Sequence, residues 1–246
     1  MLNYATVKDF WLFLEKHNDY LEFTDKNRLW GDLKEYQRLF VLDQLLNHSA
    51  AKRLIEVGGG VCNVFEALIK RFPERYECWS IDPLEGQGGG PVLQNVPKNL
   101  EGKVNFIREE FGRFSPSIPD NFFDILFSIS VMEHIPLEQW ENVFLDMVRV
   151  VKKGAIIIHT VDVPVDFDLA EKRLSALKEL PNKVGLKLLD PATFFEAATA
   201  RNDPSTYYVS PAAYARWLRH MPTGQNTLST GIFRRITSFN AIYTKI

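Results

Sequence analysis

Leu54-Ile55-Glu56-Val57-Gly58-Gly59-Gly60-Val61-Cys62-Asn63-Val64-Phe65 reads as a short buried strand, a glycine turn and the start of a helix. Glycine is needed where a backbone must turn sharply and let a ligand approach its amides. The acid is the informative residue. Glu56 stands at the strand end, just before the glycines. In a pyrophosphate-binding turn, a carboxylate there would oppose the ligand's own charge. It suits a ligand that carries positive groups.

Further along, strands alternate with helices. Helices are expected at residues 7–16 and 32–47, the second with Leu33, Tyr36, Phe40 and Leu46 on or near one face. After the glycine turn, Val61, Val64, Phe65, Leu68 and Ile69 form an apolar stripe, and Pro73 ends that helix. Strands are predicted at 53–57, 76–81, 103–107, 122–128 and 155–160. A helix over 137–150 buries Trp140, Phe144, Met147, Val148 and Val151, and Gly154 is read as its break. Gly86, Gly88, Gly89 and Gly90 mark residues 85–91 as a loop, taken as a flexible connection rather than a lid. Asp190-Pro191 and Ser210-Pro211 each read as a cap followed by proline at the first helical position. Residues 228–233 and 237–246 read as two closing strands. The pattern predicts an α/β fold: a doubly wound, mostly parallel sheet with helices on both faces and ligands at the carboxyl ends of the strands.

At 246 residues the chain can build a sizeable core. A formal net charge of −2 argues against a nucleic-acid binder held by a general positive field. No apolar run approaches the ~18 residues of a membrane span, and residues 1–10 lack the pattern of a secretory signal. Cys62 and Cys78 lack metal-site spacing and read as small buried residues of a cytoplasmic protein.

Three more stretches bear on the ligand. Ser80-Ile81-Asp82-Pro83 puts a carboxylate at the end of the second strand, about twenty residues past the glycines, where it can take both hydrogen bonds of a ribose diol. Phe106-Ile107-Arg108-Glu109-Glu110-Phe111 puts acids after the third strand. Phe123-Asp124-Ile125-Leu126-Phe127-Ser128-Ile129-Ser130-Val131-Met132-Glu133-His134-Ile135-Pro136 carries an early aspartate, a serine at the strand end and Glu-His before a helix.

Together, over residues 52–160, these resemble class I S-adenosylmethionine-dependent methyltransferases, in particular the small-molecule (type 11-like) branch. Glu56, Gly58 and Gly60 match the acid and alternating glycines of the first motif. Cys62 departs from it, standing where a third glycine is common. The resemblance implies a Rossmann-like, seven-stranded sheet whose last strand is antiparallel. It implies S-adenosyl-L-methionine as cofactor, held by Glu56, Gly58, Gly59, Gly60, Asp82, Pro83, Glu110, Phe111 and Ser128. Glu110 would accept from the adenine amino group, with Glu109 one residue away as an alternative, and Phe111 would lie against the ring. Ser128 would sit beside the methionine part. No Asp-Pro-Pro-Tyr motif follows the fourth strand, which argues against methylation of a nucleobase amino group.

The resemblance further implies residues 1–50 as a helical cap and residues 51–246 as the core, with substrate-binding insertions around 161–225. The acceptor is expected to be a small molecule or glycan, methylated at oxygen. His134 and His159, at the carboxyl ends of strands, are the candidate bases. Asp162, Asp166 and Asp168 are read as solvated loop acids, so no metal site is assigned. Arg201, Tyr207, Tyr208, Tyr214, Arg216, Trp217, Arg219 and His220 mix basic and aromatic groups, either to receive an anionic or sugar-like acceptor or to pack an amphipathic helix. A catalytically silent cofactor-binding partner, a protein methyltransferase and a nicotinamide-dependent oxidoreductase remain as competitors. Glu56 and Asn63 disfavour the last.

Overall fold

The computed structural model describes residues 2–17, 19–20, 33–83, 98–166, 168–189, 196–210 and 235–246. In chain order the strands are β1 (Leu2–Tyr4), β2 (Arg53–Val57), β3 (Glu77–Ile81), β4 (Val104–Ile107), β5 (Phe123–Ile129), β6 (Val151–Pro164), β7 (Leu186–Leu188) and β8 (Ile236–Lys245). The α-helices are α1 (Val7–Lys16), α2 (Leu33–Asn47), α3 (Asn63–Arg71), α4 (Trp140–Val150), α5 (Asp168–Lys183) and α6 (Ala197–Asn202).

The sheet runs β1-β8-β6-β5-β2-β3-β4, and β7 also pairs with β8. Strands β2 to β6 are mutually parallel, and β8 is antiparallel to β6. The expected seven strands become eight in seven lanes. β1 pairs with Phe239 to Ala241 and β7 with Tyr243 to Lys245, so two three-residue strands share the free edge of β8. The expected strand 228–233 lies outside the described residues, as do loop 85–91 and Pro191 and Pro211 of the two expected caps.

Two apolar layers sandwich the sheet. On one side Trp140, Phe144 and Met147 of α4 and Leu174 and Leu177 of α5 pack on Leu126, Ile157 and Tyr243. On the other, Tyr36, Phe40 and Leu39 of α2 and Phe65 and Leu68 of α3 cover Leu54, Ile125 and Phe127. The first fifty residues therefore contribute both an edge strand and a helix against the sheet.

Gly154 does not end α4. The helix stops at Val150 and β6 begins at Val151. The β5–β6 register shifts between Phe123 and Ile125, and Gly154 occupies that irregularity at φ 76°. Asp124, the early aspartate of its motif, is structural. Its Oδ2 accepts from the Lys52 and Arg53 amides at 2.8 and 2.9 Å, and its other oxygen pairs with Lys152.

Candidate functional site

The glycine turn connects β2 to α3. Gly58 and Gly60 hold φ values of 70° and 52°, which glycine adopts freely. A Cβ on Gly58 would stand 2.4 Å from Val131 Cγ2, and one on Gly59 would stand 2.5 Å from Ser80 Oγ and 3.0 Å from Glu56 Oε2. The turn is pinned to the end of β3: the Gly58 amide donates to the Ile81 carbonyl at 2.8 Å, and the Gly60 amide to Asp82 Oδ2 at 3.0 Å. Cys62, the departure from the motif, is left-handed at φ 53° and starts α3. Its thiol points inward, 3.2 Å from Ser80 Oγ. It thus takes the conformation a glycine there would take.

Glu56 is buried behind this turn, and its Oε2 has no hydrogen-bond partner among the described residues. Burial pushes its carboxyl up to about 8; the Cys62 thiol opposes the rise and the Asp82 charge adds to it. A carboxylate short of a partner, beside a backbone bare of side chains, fits S-adenosylmethionine, whose ammonium can supply the missing donor. Asp82 and Pro83 lie at the end of β3, half-buried. Beyond β4, Glu110 accepts from Arg113 Nε and Nη2 at 2.9 and 2.7 Å, Glu109 accepts from Ser117, and Phe111 is partly buried against the α4 side of the core. Asp146 of α4 fixes this loop by accepting from the Gly112 amide at 3.0 Å. Sequence reasoning missed Asp146, although an acid amid the apolar face of α4 was a readable signal.

Two of the expected site residues, Ser128 of the fourth-strand motif and His159 of β6, lie in the core. Ser128 is fully buried and joins its hydroxyl to His159 Nδ1 at 2.7 Å. His159 is also fully buried, with its ring 6.0 Å from those of Phe144 and Tyr243. Burial depresses its proton affinity to about 3. Both side chains are thus engaged with each other in the core, a setting that suits packing rather than proton transfer.

The chain meets the glycine turn three residues after Ser128, at Val131. Ser130 is left-handed at φ 51°, and its amide donates to the Thr160 carbonyl at 2.8 Å. Glu133 and His134 follow in a short 3-10 turn. His134 is exposed. Its proton affinity lies below the usual value, through desolvation first, then the charge of Lys34, against Asp162, with Arg173 adding to the decrease. The Glu133 carboxylate oxygens are buried without a hydrogen-bond partner among the described residues. Burial, then the charge of Asp162, push that carboxyl up to about 8 against the opposing pull of Lys34.

Asp162 is no loop acid. It sits in β6, where its Oδ1 accepts from Gln37 Nε2 at 2.6 Å and Ser130 Oγ at 3.1 Å, and its Oδ2 from Lys34 Nζ at 3.2 Å. Asp166 pairs with Arg235. No group of three or more metal-ligating side chains occurs among the described residues. Lys34 and Gln37 carry no motif that would have marked them in advance. Tyr207 stacks on Phe10 at 4.9 Å and the Tyr208 hydroxyl donates to the Ala200 carbonyl, so both pack; residues 211–220 lie outside the described residues.

Residues 55–159 match the family described as "Methyltransferase domain". No curated protein matches the sequence. Three solved structures, each 15% identical, share the fold. The [4+2]-cyclase SpnF matches over 99% of this chain and 98% of its own, with a TM-score of 0.55. StiE O-MT residues 942–1257 match over 100% and 86%, at 0.54. The protein described as a sarcosine dimethylglycine methyltransferase from Galdieria sulphuraria matches over 84% of each chain, at 0.51. Family match, sheet topology and turn geometry agree: residues 55–159 form a class I S-adenosylmethionine-dependent methyltransferase domain.

Proposed function

We propose that this enzyme methylates a small molecule or glycan at oxygen, and that His134 takes the acceptor's proton. S-adenosylmethionine supplies a methyl group already activated on a sulfonium, so the protein's task is to position the acceptor and remove its proton. The observation that carries the reading is His134 itself. It is exposed just past β5, three residues beyond the Val131 that abuts the glycine turn. Its lowered proton affinity keeps the imidazole neutral near pH 7, and a neutral imidazole can accept a proton from a hydroxyl.

Glu56, the three glycines, Asp82 and Pro83 would hold the cofactor, with Glu110 and Phe111 on its adenine side. Residues 51–246 form the methyltransferase core in this reading, residues 1–50 cap it, and parts of 161–225 receive the acceptor. The reach of Lys34 and Gln37 to Asp162 supports a role for the cap beside the acceptor. The two buried free cysteines fit a cytoplasmic protein; no helix among the described residues is long and apolar enough to cross a membrane.

The test is transfer of labelled methyl from S-adenosylmethionine to a panel of sugars and small hydroxylated metabolites. For the acceptor found, His134→Ala is expected to lose about 10²–10⁴-fold in turnover while cofactor affinity stays within about twofold. Full turnover in the variant would remove His134 from the reaction. A second reading, transfer to nitrogen, is favoured by Glu133, whose buried carboxylate would pair with a protonated amine and take its proton, freeing the nitrogen lone pair for attack on the methyl group. Methylation of amines but not sugars, abolished by Glu133→Gln, would select it.

A further inference from the structure

Strands β2, β3 and β4 present the cofactor cleft at their carboxyl ends. At their amino ends, roughly 13 Å away along the strands, lies a cavity of about 520 Å³ whose walls include Lys52, Arg53, Arg75, Tyr76, Glu77 and Lys103. The charges there are unequally matched. Glu77 is engaged twice, accepting from Arg53 Nε at 3.2 Å and from Trp79 Nε1 at 3.0 Å. Arg53 also lies over the Phe122 ring at 4.1 Å. Among the described lining residues, Lys52, Arg75 and Lys103 then face one further acid, Glu74. The chain as a whole is formally −2, so this positive surplus is local.

The cavity is also partly preorganised. The Arg75 guanidinium sits over the rings of Phe72 and Tyr76, 4.9 Å from each centroid, and its Nη2 donates to the Ser49 carbonyl at 2.9 Å. Stacking and that hydrogen bond fix the plane of the fork and leave other N–H groups to donate. The Tyr76 hydroxyl is buried with no partner among the described residues, and it feels the Arg75 charge. Lys52 and Lys103 are exposed at the rim, and Lys103 commits one donor to the Asn99 carbonyl at 3.2 Å.

We propose that this cavity is a second binding site, distinct from the methyl-transfer cleft, for a small phosphate-bearing molecule. Arg75 supplies a fixed planar fork, and Lys52 and Lys103 supply adjustable charges around the phosphate oxygens. The cavity volume falls within the range of small-molecule sites. The inference does not depend on which acceptor the enzyme methylates.

Inorganic pyrophosphate is the probe, titrated calorimetrically at low salt into the full chain and into a Lys52→Glu/Lys103→Glu variant, with S-adenosylmethionine titrated into both. The expected result is saturable one-to-one pyrophosphate binding that weakens by about tenfold or more in the variant, while cofactor affinity is unchanged. That unchanged affinity also shows that the variant is folded. Absence of saturable binding to the unaltered protein would overturn the proposal, as would equal binding to the variant. Failure of cofactor binding in both proteins would instead count against the methyltransferase reading.

Discussion

His159 and Ser128 occupy paired positions on adjacent strands, and their hydrogen bond lies in an aromatic shell of Phe144 and Tyr243. The unfolded chain takes a proton on this imidazole below about 6.5, whereas the folded protein refuses it until about 3. The folded state is therefore fully stable with respect to this group above 6.5, and loses about 1.4 kcal/mol for each pH unit below it. Urea unfolding at pH 7 and pH 5 should show a loss of about 2 kcal/mol that a Ser128→Ala/His159→Leu variant does not share. Equal losses in both proteins would mean that the imidazole is protonated in the fold. From sequence, His134 and His159 looked alike, since each stands at or just beyond the carboxyl end of an apolar strand. Which one faces the cleft depends on strand register and on α4, and neither is a local property. Glu56 was legible because its chemistry, an acid before glycines, is local.

At the scale of elements, the turn between β2 and α3 is set by two conditions on Gly58: a positive φ and a side-chain position already filled by Val131. Gly58→Ala should therefore cost about 1–3 kcal/mol in unfolding free energy. Adding Val131→Ala should return part of that cost by clearing the contact, leaving the φ strain in place. A Gly58→Ala protein that Val131→Ala does not rescue would show that the contact is unimportant. The strong elements could be read in advance because their periodicity is strong: α1 and β2 fall at their expected bounds, and α2, α3 and β3 to β5 within two residues of theirs. The three-residue strands β1 and β7 are too short to carry a period. Helix α5 was missed because its buried apolar residues, Ala170, Leu174 and Leu177 among them, are interleaved with charged ones.

Over the whole molecule, α2 is joined to the sheet by a polar network as well as by its apolar face. Gln37 donates to Asp162 and Ser238 and accepts from Ser130, and Tyr36 accepts from Asn240. These partners lie 93 to 204 residues apart in the chain. No window of sequence contains both ends of such a bond, which is why this network was not legible in the sequence. The network also fixes α2 in rotation and in height, because an apolar face alone tolerates small slides and a set of directed hydrogen bonds does not.

The burial of Glu56 has a calorimetric consequence. In the ligand-free protein at pH 7 this carboxyl holds its proton, since burial has raised it to about 8. A cationic cofactor that pairs with it must displace that proton into the buffer. Near pH 7 the heat of binding should then differ between buffers of unequal ionisation enthalpy, in proportion to nearly one proton released. Affinity should rise by up to about tenfold per pH unit as pH approaches 8 and level off above it. Glu56→Gln should abolish both effects. Identical heats in all buffers with the unaltered protein would mean that Glu56 is already ionised before the cofactor arrives, and that some other group of the turn receives the ammonium.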